Sequence, residues 1–231
     1  MKLPNQSELG YLEELIRDFP ARADIDPEEA VNLIQSRYLT LESQCSAFVV
    51  SLKDVSRHIS FDSLFLDIIP TSHSFLFKDI LSNAGRYRKS SEPNNGYVGF
   101  GGTDTRSATR AKFHGSPLIT IKKEIETAAK MLSSGDAEPV KNSILFYQRF
   151  VHIHPFYDAN GRIGRLILTI YLGYYGYAVL WKDLETTKKN TFLKKLNACH
   201  KREGQEIQRE YLEILYQFWK EFVIPQSELE L

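Results

Sequence analysis

Cysteine is nearly absent from the sequence: only Cys45 and Cys199 occur. Two thiols so far apart make neither a disulfide framework nor a zinc-binding spacing, which points to a reducing compartment. No run of about eighteen apolar residues occurs, so no membrane-spanning helix is expected. The opening MKLPNQSELGYLEELIRDF is too polar and acidic for a hydrophobic secretion signal. A charge excess is missing as well, because 29 Lys and Arg face 29 Asp and Glu. Balanced charge gives no reason to expect nucleic acid or an anionic membrane as the main partner. Internal repeats and low-complexity tracts are also lacking. These absences leave a cytoplasmic protein with no nucleic-acid and no membrane partner.

What is present suits a globular chain with a real core: 231 residues, 42% hydrophobic and 25% charged. Apolar spacing predicts helices over 7–19, 26–38 and 39–57, then 61–69 and 72–82 separated by Pro70. The second opens with Asp26-Pro27-Glu28-Glu29, a cap, a first-turn proline and acids that suit the positive helix end. Further helices are expected over 118–133, 138–153, 187–201 and 206–222. The helix over 138–153 is apolar on several sides and so central. It ends near His154, because Pro155 disfavours helical geometry in the residue before it. The segment 89–117 differs, being rich in Gly, Ser, Thr and Asn. Its runs 97–100 and 111–114 read as two short strands of a hairpin, with an irregular loop as the alternative. The fold class is all-α with one small hairpin.

The stretch HPFYDANGRIGR, residues 154–165, carries the chemistry. Apolar residues recur after it at Ile163, Leu166, Ile167, Ile170, Tyr171 and Tyr174, so a helix starts near Asn160 or Gly161. Arg162 and Arg165 lie in its first turn, where the macrodipole disfavours cations by about 0.3–1 kcal/mol each. A bound anion reverses that cost. A helix N-terminus, a glycine that permits close approach and two guanidinium forks describe a polyphosphate site. Beside it, His154 can serve as a base near neutral pH. Asp158 is a hard oxygen ligand suited to magnesium next to phosphates. Asn160 caps the helix or holds a phosphate oxygen. Taken singly, each residue also has an ordinary structural role.

These residues match the signature of the Fic (filamentation induced by cAMP) family, which the chain resembles. That signature is His-Pro-Phe, any residue, Asp or Glu, Gly or Ala, Asn-Gly-Arg, two residues, Arg, and every specified position from His154 to Arg165 agrees. Upstream, 72–77 and Ala84-Gly85-Arg86-Tyr87-Arg88 resemble the family's helix and its Ala-Gly-x-x-Arg turn. The resemblance implies a Fic-type helical bundle over 70–225 with a β-hairpin flap, after an N-terminal helical region over 1–69. It implies transfer of a nucleotide moiety, usually AMP from ATP, to a Tyr, Thr or Ser hydroxyl of a target protein. His154 is then the catalytic base and Asp158 the Mg2+ ligand. Phe156, Asn160, Gly161, Arg162, Gly164 and Arg165 serve the ATP site, with Phe156 buried to fix the loop. Gly96, Tyr97, Val98, Gly99, Phe100, Gly101 and Gly102 form a flap that pairs with the target as an added strand. The Doc branch, which phosphorylates its target, has lysine at the place of Gly161, so glycine favours nucleotidyl transfer. UMP and phosphocholine transfer use much the same signature.

Many family members carry an inhibitory helix whose glutamate pairs with the second arginine. No strict match exists here. Glu42 in Tyr38-Leu39-Thr40-Leu41-Glu42-Ser43 is the nearest candidate and Glu221 a poorer one. Expected partners are a protein substrate, the protein itself through self-modification, and a second copy or a separate inhibitor chain. Two rival readings remain. One is a metal hydrolase using His152, His154 and Asp158. The other is a non-catalytic nucleotide-binding interaction module.

Overall fold

A computed structural model describes residues 6–22, 24–55, 60–101, 112–133 and 138–229. Helix α1 (Gln6–Asp18) leads to α2 (Pro27–Val55), which is one continuous helix and not the two expected. No glycine or proline interrupts it after Pro27. Asp26 caps it as expected, its Oδ1 accepting the Glu29 N–H at 2.9 Å. Helix α3 (Phe61–Phe77) likewise runs through Pro70, which the sequence reading took as a break. An interior proline costs a helix about 3 kcal/mol. Here Phe65, Ile69, Leu76 and Phe77 are buried on both sides of Pro70, and that burial outweighs the lost bond.

The hairpin forms where expected. Strand β1 (Gly99–Phe100) pairs antiparallel with β2 (Phe113–His114), Gly99 opposite His114 and Phe100 opposite Phe113. Gly102 and Ala111 of the expected flap lie outside the described residues. Helices α4 (Ile121–Ser133), α5 (Pro139–Ile153) and α6 (Asn160–Tyr174) follow. Both α5 and α6 run through the core. Leu168 and Leu172 are as buried as the predicted stripe of Ile163 and Ile167, so α6 is enclosed on more than one face.

A second sheet was not legible in the sequence. Strand β3 (Tyr177–Val179) pairs antiparallel with β4 (Val223–Pro225). Between them lie a helical turn, α7 (Trp181–Asp183), a π-helical turn (Leu184–Lys188), α8 (Lys189–His200) and α9 (Gln208–Lys220). Three-residue strands hold too few residues for alternation to register. No helix among the described residues is long and apolar enough to cross a membrane.

Candidate active site

Helix α5 runs into Pro155, and the chain leaves it with His154 in the left-handed region (φ 51°, ψ 58°). It enters α6 through Ala159, also left-handed (φ 61°, ψ 8°). Such conformations cost non-glycine residues on the order of 1–3 kcal/mol each and persist only where the surroundings enforce them. Asn160 supplies much of that enforcement. It is 2% exposed; its Oδ1 accepts the Phe156 N–H at 3.1 Å, and its Nδ2 donates to the Phe156 carbonyl at 2.9 Å. Both ends of its amide are therefore engaged within the loop, so Asn160 shapes the site and presents no open amide to a phosphate. Phe156 is 1% exposed and stacks on the buried His73 ring at 4.0 Å, interplanar angle 15°. It anchors the loop from below and offers no face to a ligand. His73 accepts the Gly85 N–H on Nδ1 at 2.9 Å, which ties the Ala84-Gly85 turn to the same stack.

The His154 imidazole lies at the mouth of this loop. Its Nδ1 is 3.1 Å from the Val151 carbonyl, so that nitrogen carries the proton and Nε2 keeps its lone pair. Burial pushes its pKa down to about 4. The Val151 carbonyl opposes this shift, and the Arg88 charge adds to it. The ring is neutral at physiological pH. Phe100 of the flap stacks on it at 4.6 Å, nearly parallel at 6°.

The N-cap residue of α6, Ala159, has no side chain to bond the first N–H groups of the helix. That leaves donors for an anion. Arg162 pairs with Asp158 at 3.0 Å, both about a third exposed. Arg165 forms an ion pair with Glu185 of the π-helical turn. Its guanidinium also lies 5.3 Å from the Trp181 ring centre, and its Nε is buried without a hydrogen-bond partner. Gly161 has room around it: an added Cβ meets only the Tyr147 hydroxyl, at 3.6 Å. Packing within the protein thus does not require glycine there. Gly164 is different, because a Cβ would stand 2.9 Å from two Tyr147 ring carbons. Gly164 lets α6 close on α5 and is not positioned as a ligand contact.

The flap residues Gly96 to Gly101 lie along one wall of the site. Gly96 and Gly101 have φ of +73°, and Tyr97 and Gly101 are exposed. Glu42 makes no ion pair with Arg165 among the described residues. It lies close enough for the charges of Glu185 and Arg165 to act on it, after burial, the main cause that raises its pKa. Glu221 is exposed at the end of α9 and makes no such pair either. His152, His154 and Asp158 do not converge: His152 stacks on His200 at 5.3 Å, and no described group of three His, Cys, Asp or Glu is placed to hold a metal. Magnesium fits Asp158 in another way. Its carboxylate already accepts Ala159 N–H and Arg162, is 30% exposed, and has lone pairs left for an ion held mainly by phosphates and water. Sequence reasoning missed Glu185, Trp181, His73 and the role of Arg88. Arg88 and His73 stood in the quoted family-like segments without a role of their own, His73 within α3; Trp181 and Glu185 sit in short turns without periodicity.

The sequence of residues 63–172 matches the family model described as Fic/DOC family. Residues 63–172 belong to the Fic/DOC family. The match begins inside α3 and ends inside α6, so the loop, both arginines and the flap all fall within it. A 63-residue stretch is 40% identical to a protein of Aquifex aeolicus (strain VF5) named a probable protein adenylyltransferase. That stretch covers 27% of this chain and 20% of the relative's length. The Fic fold extends beyond the matched segment. The BepC effector of Bartonella tribocorum, solved with AMPPNP bound, superposes over 96% of this chain and all of its own, with 17% identity and a TM-score of 0.56. A Fic-domain signalling protein of Bacteroides thetaiotaomicron covers 92% of this chain and 80% of its own, with 18% identity and a TM-score of 0.52. The N-terminal Fic domain of a Bartonella quintana VirB-translocated effector, solved with ADP, covers 84% and 88%, with 18% identity and a TM-score of 0.51.

Proposed function

We propose that this protein transfers AMP from ATP to a Tyr, Thr or Ser hydroxyl of a target protein. The observation that carries the reading is a neutral His154 with Nδ1 bonded to Val151 and Nε2 without a hydrogen-bond partner among the described residues, at the uncapped N-terminus of a helix that bears two arginines. In this scheme Nε2 takes the proton from the target hydroxyl. The hydroxyl oxygen bonds to the α-phosphorus, the bond from that phosphorus to the bridging oxygen breaks, and pyrophosphate leaves. The first N–H groups of α6 receive phosphate oxygens. Arg162 and Arg165 grip the outer phosphates once their carboxylate partners yield. Magnesium, held by Asp158, would neutralise charge on the phosphates. A base of pKa about 4 is weak, but polyphosphate charge brought beside it raises that value. The flap presents the edge of β1 for an extended target segment. The nucleotides bound in the Bartonella structures support a nucleotide in this fold.

The test is labelling of lysate and purified protein with ATP, UTP and CDP-choline in parallel, read by mass spectrometry on modified residues. A mass addition of AMP that disappears in His154→Ala supports the reading. Addition of UMP or phosphocholine replaces the donor and keeps the loop chemistry. Nucleotide binding with no modification of any protein would overturn transfer in favour of a binding module.

A further inference from the structure

Arg88 is 4% exposed and, among the described residues, no ion pair joins it. Its donors go to four carbonyl oxygens. Nε donates to His154 at 2.7 Å, Nη1 to Gly96, and Nη2 to Ser116 at 3.1 Å and Ile153 at 3.3 Å. Its own N–H bonds the Pro155 carbonyl at 3.1 Å. Gly96 precedes β1 and Ser116 follows β2, so two of the acceptors are the two roots of the flap. Ile153 and His154 are the end of α5 and the start of the loop. One rigid guanidinium thus joins both feet of the hairpin to the backbone of the proposed base. A buried cation without a carboxylate is costly, and the geometry that makes it tolerable is the engagement of all three guanidinium nitrogens by four carbonyls.

We infer that Arg88 is a positioning residue, which fixes the flap, and with it the target segment, at the distance from His154 that proton transfer needs. The inference rests on the transfer reading for its functional half and on the hydrogen bonds alone for its structural half. Packing at Gly115 supports it. A Cβ there would stand 2.7 Å from Arg88 Nη2, 3.1 Å from His154 Cβ and 3.1 Å from Val98 Cγ2. Flap, fork and base close on one another with no room for a methyl group. The Gly115 N–H also donates to the Val98 carbonyl at 3.1 Å, which extends the strand pairing to that point. Only a planar fork reaches four carbonyls at once; an ammonium on a flexible stem does not.

Two variants test this, Arg88→Lys, which keeps the charge, and Gly115→Ala, which leaves Arg88 in place and wedges it. Hydrogen exchange is followed in the flap (residues 97–100 and 113–116) and in α6, together with ATP affinity and the kcat and KM of target labelling. In both variants, flap amides should exchange about tenfold faster or more while α6 amides stay at the wild-type rate. Labelling kcat should fall about 10- to 100-fold with ATP affinity within twofold, since misplacement of a reacting group acts on kcat. Wild-type flap exchange in both variants overturns the inference. So does an equal rise in α6, which would make Arg88 a general prop of the fold. If the wild-type protein labels nothing, the transfer reading fails, and the exchange data alone then decide whether the clasp holds the flap.

Discussion

Arg165, the outer arginine of the loop, is ion-paired with Glu185, which reaches it from a π-helical turn 20 residues further along the chain. The guanidinium proposed to grip a terminal phosphate therefore already has an anion. Exposed pairs of this kind are worth roughly 0.2–1 kcal/mol, and Glu185 is 44% exposed. Glu185→Gln should accordingly tighten ATP about two- to fivefold by calorimetry and raise labelling to match. Glu42→Gln should do less, because Glu42 acts on Arg165 only at a distance, and Glu221→Gln should do nothing. Unchanged ATP affinity in Glu185→Gln would mean that the pair parts without cost or that Arg165 does not meet the nucleotide.

Arg165→Ala should weaken ATP more than AMP, since an outer fork touches only the outer phosphates. Loss of a charged fork from a phosphate costs on the order of 1.5–3 kcal/mol. Equal weakening of ATP and AMP would place Arg165 nearer the α-phosphate than proposed.

His154→Ala should abolish transfer and leave ATP affinity within a few-fold. The imidazole flanks the α6 N-terminus and is held by Val151, not by the arginines. Removing a positioned base typically slows a reaction by about 10²–10⁴. A strong loss of ATP binding would reassign His154 to the nucleotide.

How much of this was legible beforehand depends on the span of the signal. The loop from His154 to Arg165 and the start of α6 were readable because the cues are local: a proline, a glycine, and cations at the wrong helix end. The hairpin was readable from turn residues. Pro70 misled, because a rule about one hydrogen bond lost to the burial of Phe65, Ile69 and Leu76 around it. Gly164 was assigned to the ATP site and Asn160 to a helix cap or a phosphate contact; in the structure Gly164 lets α6 pack on α5 and the Asn160 amide closes the loop. Glu185 was not readable at all. Its place opposite Arg165 is set by the turn after β3, which has no periodic pattern.

Gly101→Ala should lower target labelling while sparing ATP binding. Gly101 has φ +73°, and a Cβ there would stand 2.7 Å from the Phe113 ring. The substitution strains the end of β1 and pushes on β2 together. Labelling at the wild-type rate would show that the flap is not the docking edge.

Acid should destabilise the fold well above the carboxylate range. Burial depresses His73 to about 3, His154 to about 4 and His200 to about 3, and His152 is lowered too. Each binds a proton more readily when unfolded, near pH 6.5. Their contribution is therefore full above that value and is lost progressively as pH falls towards the folded values. The urea midpoint should drop steadily from pH 7 to pH 5. A flat profile over that window would show that these rings are not held neutral.

The π-helical turn that carries Glu185 has a consequence for how such a protein changes over generations. A turn of this kind holds one residue more than an α-helix needs, and here the Thr186 and Thr187 hydroxyls bond the carbonyls of Lys182 and Asp183, at 2.8 and 2.6 Å. Removing one codon before Glu185 would restore ordinary pitch and rotate the carboxylate by about 100° relative to what precedes it. The cost to the core would fall on Leu184, the only buried residue of the turn. A single in-frame deletion could thus uncouple Glu185 from Arg165 and leave the nucleotide loop itself unaltered.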